Sequence, residues 1–220
     1  MRSIGISDGS AQGAGQLTAV RIRDAAILRY GRDGFGVGLR AVAADAGVTA
    51  GLVVHHFGSK DGLRKACDDH VLTVIQSEKL KATTGGPAVA LAQLAEIEEY
   101  APMAMYSLRS LQAGGELAAA FVERMCRDAE EYLAVGVASG MVRPSRDPAA
   151  RARYLAMQAM GTLLLWFSTR SGFGEVDDFR KELRALSNEV TLPALELYCQ
   201  GLFADDTMLD AYLKDGGAAR

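Results

Sequence analysis

The sequence predicts an all-α fold, with an N-terminal three-helix helix-turn-helix domain followed by a C-terminal helical bundle. Three observations lead there. Apolar residues recur at helical spacing through most of the 220 residues, and no segment shows the alternation and β-branched density of a strand. A tight Gly47-Val48-Thr49 corner joins two short helical stretches near the start. The composition, 49% hydrophobic and 23% charged, is that of a folded globular chain and excludes disordered or collagen-like classes for most of it.

Residues 1–17 are rich in Gly, Ser, Ala and Gln, offer little to bury and are expected to form a mobile arm. From Thr18, Ile22, Ala25, Ala26 and Tyr30 share one helix face while Arg21, Asp24 and Arg32 share the other, and this first helix stops at Gly34. The following glycines, Gly36 and Gly38, come after no strand and match no G-x-x-x-x-G-K-[ST] phosphate loop, so they read as a turn. Leu39, Val42, Ala43 and Ala46 give a second helix of two turns, closed by Gly47 in a left-handed C-terminal position. Thr49 caps a third helix carrying Leu52, Val53, His56 and Phe57. After Gly58, Ser59 caps a fourth, from about Lys60 to Ala82, whose stripe is Leu63, Cys67, Val71, Val74 and Ile75.

Thr83-Thr84-Gly85-Gly86-Pro87 ends that helix, and long helices are expected beyond it, over about 88–101, 115–139, 148–170 and 177–203, with a short tail helix over 205–214. Pro102 removes a backbone donor and marks a kink or a new helix, as does Pro193. Asp147-Pro148 is a capping acceptor followed by a residue already set at helical φ. The expected organisation is an arm at 1–17, a helix-turn-helix domain at 18–65 and a bundle at 66–220.

The net charge of −3 hides an asymmetry. Residues 1–65 hold nine basic and five acidic side chains, a net of +4, and the remainder carries −7. A basic module on an acidic body is suited to holding phosphate locally. Cys67, Cys126 and Cys199 are odd in number and far apart, which argues against a disulfide framework and for a reducing, cytoplasmic setting. The longest uncharged run, between Arg153 and Arg170, is shorter than the roughly 20 apolar residues of a membrane span. No secretory signal is read at the N-terminus.

Catalytic motifs are missing: no G-x-S-x-G, H-E-x-x-H or nucleotide-binding glycine loop occurs, and all three histidines lie between residues 55 and 70. Glu98, Glu99, Glu130 and Glu131 form pairs of the kind that usually line solvated helix faces. No enzyme, cofactor or metal site is expected. His55 and His56 point about 100° apart on a helix, and Cys67 with His70 lacks further ligands nearby.

The segments IRDAA from Ile22, GF at Gly34, LRAVAADAGVT from Leu39 to Thr49 and VHHFGSKDGL from Val54 to Leu63 resemble the N-terminal domain of the TetR, or tetracycline-repressor-like, regulators. The A-G-V-T corner, the H-F pair and the S-K-x-x-L opening of the fourth helix are the specific parts, and the resemblance covers about Thr18 to Val74. Further on, GMVRP at Gly140 and Asp147-Pro148 resemble the family loosely. The resemblance implies a homodimeric repressor that leaves a palindromic DNA operator when a small molecule enters the C-terminal domain. Thr49 and Lys60 are then expected on phosphates, with Arg40 a further backbone candidate, and Ala50, Gly51, Val54 and His55 face base edges. Val54 stands where the family usually has a phosphate-contacting tyrosine and can instead pack on a thymine methyl. Arg29 stands where an apolar residue is common, either laying its stem along the core or pairing with an acid. The third helix has no Lys or Arg, so a modest salt dependence is expected. Arg2 lies within reach of a minor groove, but an ordinary disordered terminus is the favoured reading of the arm.

Eight methionines and the aromatic residues lie mostly beyond residue 98, and most are expected in the core and dimer interface. Adaptable thioethers with Tyr and Trp around Pro102 suit an apolar effector site, with Met103, Tyr106, Met125, Met157 and Trp166 as its lining and Val71 and Ile75 reaching it from the fourth helix. The family resemblance places dimerisation on the last two long helices, where Leu163, Leu164, Leu165, Phe167, Leu195 and Tyr198 supply apolar surface. The rival reading is a helical small-molecule-binding module with weak or no DNA affinity.

Overall fold

The computed structural model describes residues 8–170 and 174–215, and every regular element among them is helical. The chain forms two compact units that part between Leu183 and Arg184.

Helix α1 (Asp8–Asp33) begins well before Thr18, so residues 8–17 are helical where their composition predicted an arm. Ala and Gln are good helix formers, and extending an existing helix escapes the cost of nucleation. Residues 1–7, including Arg2, lie outside the described residues. Helices α2 (Leu39–Asp45), α3 (Ala50–Phe57) and α4 (Lys60–Ala95) follow. Gly86, at φ +77° and ψ −172°, breaks α4 where the sequence predicted its end, and helical geometry resumes at Pro87 as far as Ala95. Glu78 holds the returning segment against the first half, accepting from Gln93 Nε2 at 3.0 Å and Tyr100 Oη at 2.8 Å.

The helix expected over 88–101 is therefore divided: after Ala95 comes a 3₁₀ turn (Ile97–Tyr100), then α5 (Ala101–Ala113). Pro102 sits in the first turn of α5, where the missing N–H has no intrahelical acceptor to lose, so it starts a helix and does not kink one. Helices α6 (Gly115–Ala138) and α7 (Pro148–Ser168) pack together, and Asp147 Oδ1 caps α7 by accepting from Ala150 N at 2.9 Å. Helix α8 (Val176–Gln200) runs through Pro193 without ending, and α9 (Thr207–Lys214) is the last element.

One core joins the N-terminal helices to α4 and α5, with Ile22, Tyr30, Val42, Val53, Leu63 and Val71 fully buried in it. A second lies between α6 and α7, built mostly from the small side chains Cys126, Ala129, Ala152 and Ala156 with Met160. In the second unit, Leu192, Leu195, Tyr198, Met208, Leu209 and Tyr212 are all exposed.

Candidate nucleic-acid interface and inner cavity

The corner between α2 and α3 is built by local chemistry. Gly47 adopts φ +62°, Val48 N donates to Ala43 O at 2.9 Å and Gly47 N to Ala44 O at 3.1 Å. This pair of bonds closes α2 and turns the chain sharply. Thr49 then accepts from Leu52 N at 3.2 Å, and Ser59 does the same for α4 through Gly62 N at 3.0 Å. Val53 is buried and Leu52 and Phe57 are half-buried, which fixes the rotation of α3. Gly51, Val54 and His55 face outward; Val54 is 45% exposed. Thr49 and Arg40 are exposed and Ala50 and Lys60 half-exposed, Ala50 packing also against the first core.

Arg29 resolves as an ion pair. It clamps α1 to the end of α2, donating from Nε and Nη2 to the two carboxylate oxygens of Asp45, each at 2.5 Å, and from Nη1 to Asp33 at 2.9 Å. The guanidinium bonds hold both acids below their ordinary range: Arg32 and Arg29 bring Asp33 down to about 2, and Arg29 lowers Asp45. A second joint ties the helix-turn-helix to α5. Arg109 donates to the last carbonyls of α1, Gly31 O at 3.0 Å and Arg32 O at 2.9 Å. The Arg64 guanidinium lies 3.7 Å over the Phe35 ring, and Phe35 meets the edge of Tyr106.

Residues named for the effector site fall in several places. Val71 and Tyr106 are buried in the first core, with Met103 packed against it. The Tyr106 hydroxyl donates to Asp68 Oδ1 at 2.7 Å, a partner 38 residues away that periodicity does not disclose. Burial pushes the pKa of both groups up. Trp166 is buried on α7, donating from Nε1 to Glu182 at 3.3 Å beneath the Arg170 guanidinium. Met157 stands on the outside of α7, 56% exposed.

Ile75 and Met125 meet in a small cavity of about 50 Å³ bounded by α4, α6 and α7. Leu72, Ala156 and Ala159 complete its apolar wall, and Gln76, Lys79, Asp128 and Tyr132 bring polar groups that sequence reasoning did not name. A signal existed: Asp128 follows Phe121 and Met125 on the buried stripe of α6, an uncommon place for a carboxylate. A shallower cleft of about 210 Å³ lies near the far end of α6, against Pro144, Pro148 and Arg151.

Of the dimer candidates, Leu165 is 67% exposed and Leu163 and Leu164 are half-buried. Phe167 is buried, its ring stacked on Phe179 at 4.3 Å, and so braces the fold from within. In the second unit Leu195 and Tyr198 are exposed. Among the described residues, no helix is long and apolar enough to cross a membrane.

The family model for bacterial regulatory proteins of the tetR family matches residues 22–67, and that for the tetracyclin repressor-like C-terminal domain matches residues 98–204. The HTH-type transcriptional regulatory protein RaaS of Mycobacterium tuberculosis is 52% identical over 201 residues, 90% of this chain and 93% of that protein. The chain belongs to the TetR family. This TetR-family transcriptional regulator is similar in fold to FadR from Bacillus subtilis, solved in complex with stearoyl-CoA. That likeness has a TM-score of 0.58 at 20% identity, covering 84% of this chain and 99% of that one. It is similar also to SmeT, the repressor of the Stenotrophomonas maltophilia multidrug efflux pump SmeDEF, with a TM-score of 0.55 at 23% identity, covering 82% and 91%.

Proposed function

We propose that this TetR-family regulator acts in the cytoplasm as a homodimeric repressor, released from a palindromic operator when a small, largely apolar molecule enters its C-terminal helices. The observation that carries the reading is the bonded α2–α3 corner, which leaves Gly51, Val54 and His55 of a short helix facing outward, with the cations Arg40 on α2 and Lys60 at the start of α4. In this arrangement Thr49, Arg40 and Lys60 meet phosphates, and Ala50, Gly51, Val54 and His55 face bases. Dimerisation uses the exposed row Tyr154, Met157, Gly161 and Leu165 on α7, spaced as one helix face.

Effector binding has to favour a non-binding dimer geometry by only about 1–3 kcal/mol to change occupancy. Helix α4 is the element through which this passes, because Lys60 opens it and Ile75 lines the cavity further along. The stearoyl-CoA held by FadR supports an apolar body for the effector class.

Fluorescence anisotropy with a palindromic duplex from the chain's own promoter, beside light scattering, tests the reading. Two protomers per half-site pair are expected. Leu165→Glu is expected to yield a monomer that has lost the palindrome. A solitary wild-type protein indifferent to every duplex at low ionic strength would overturn the reading in favour of a binding module without DNA affinity.

A further inference from the structure

The cavity beneath α4 has two kinds of wall. Leu72, Ile75, Met125 and Ala156 make it apolar, while Lys79 and Asp128 bring it charge. Asp128 is only 5% exposed, and its Oδ1 accepts from Arg124 Nε at 2.8 Å. Its Oδ2 is buried without a hydrogen-bond partner. A buried acceptor left unmet is costly, so a donor arriving at that oxygen is held strongly. Lys79 stands on the exposed flank of α4 yet lines the same cavity. Among the described residues it has no ion-pair partner.

Charge ranks the head groups that suit this wall. A protonated amine satisfies Asp128 but meets the cations Arg124 and Lys79. A carboxylate pairs with Lys79 but sets acceptor against acceptor at Asp128. A hydroxyl donates to Oδ2 and accepts from an ammonium while adding no charge. We propose that the effector is an uncharged, hydroxyl-bearing apolar molecule, its hydroxyl donating to Asp128 Oδ2 and its carbon body lying against Ile75 and Met125. The assignment rests on the effector-release reading and names the chemistry of that ligand. At about 50 Å³ the cavity is far smaller than the roughly 150 Å³ that admits a benzene ring. Binding therefore parts α4 from α6, which couples the hydroxyl's site to the helix that begins at Lys60.

Four probes of one carbon skeleton test this with the full-length dimer at neutral pH by isothermal titration calorimetry: cyclohexylmethanol, aminomethylcyclohexane, cyclohexanecarboxylate and methylcyclohexane. The alcohol is expected to bind at least about tenfold more tightly than the other three. In Asp128→Leu, checked for folding by circular dichroism, the alcohol and the hydrocarbon are expected to bind within about twofold of each other. Lys79→Met, on the exposed flank and so independent of whether the Leu variant folds, is expected to narrow the alcohol-over-amine preference at least about threefold. Equal affinities for all four, a preference for amine or acid, or no binding of any probe overturns the assignment. Operator binding by the unliganded dimer, measured separately, shows whether the regulator reading falls with it.

Discussion

Gly62 occupies the tightest point of the α3–α4 corner, and Gly62→Ala isolates the importance of that closeness. A Cβ at this position would fall far inside 3.0 Å of the Phe57 carbonyl oxygen and 3.2 Å from its carbon. Both atoms are backbone, so no rotamer change relieves the clash. The end of α3 and the first turn of α4 must part by roughly 1 Å to reach even the shortest tolerated separation. Forced overpacking of this kind costs about 1–3 kcal/mol, and the better helix propensity of Ala returns about 1 kcal/mol. The net loss, at most about 2 kcal/mol, lowers Tm by up to roughly 8 °C in a chain of this size. Lys60 lies two residues before the clash, and a 1 Å displacement takes a hydrogen bond from its optimum to beyond its useful range. In the proposed interface, losing the Lys60 phosphate bond, about 1.5–3 kcal/mol, is expected to weaken operator binding by about tenfold to a hundredfold. Differential scanning fluorimetry and anisotropy read the two effects. Gly13→Ala is the control, since nothing lies within 4 Å of that site, and it is expected to leave operator affinity unchanged. A Gly62→Ala protein that melts and binds like wild type would refute the reasoning.

Lys60→Ala is expected to weaken binding to specific and random duplexes alike and to reduce the slope of log K against log salt by about 1, as salt titration of the anisotropy signal would show. Asp147→Ala removes the acceptor that caps α7 at Ala150 N and is expected to cost about 1 kcal/mol in urea unfolding. Acid is expected to loosen the α1–α2 clamp. Asp33 and Asp45 have depressed pKa values in the folded protein, so their stabilisation is complete above the ordinary carboxylate value of about 4 and is lost as pH falls through the folded values, about 2 for Asp33. Thermal melts over that window are expected to fall less steeply for Asp45→Asn than for wild type.

The elements whose ends are set by adjacent residues were legible in the sequence. Gly47, Thr49, Ser59 and Asp147 announce their roles because caps and left-handed turns depend on the residue type at one place. The start of α1 was not legible, since Ala, Gln and Gly between Asp8 and Leu17 suit an arm as well as a helix until Ile22 and Tyr30 anchor the rest. Nor was the α5 boundary, where Pro102 is equally consistent with a kink and a beginning. The cavity was half visible. Periodicity puts Ile75 and Met125 on inward faces, but the partner of Tyr106 and the place of Lys79 at the cavity arise from helices far apart in the chain. Asp128 carried a readable sign, a carboxylate in register with Phe121 and Met125, that a search for apolar lining passes over.

The absence of Lys and Arg from α3 separates two tasks that many DNA-contacting helices combine. In the proposed interface the charges sit on α2 and α4, so exchanging the exposed uncharged residues 51 and 54 costs little of the general attraction to the duplex. In that arrangement a single change at 51 or 54 alters the preferred target sequence while the protein stays held to the double helix.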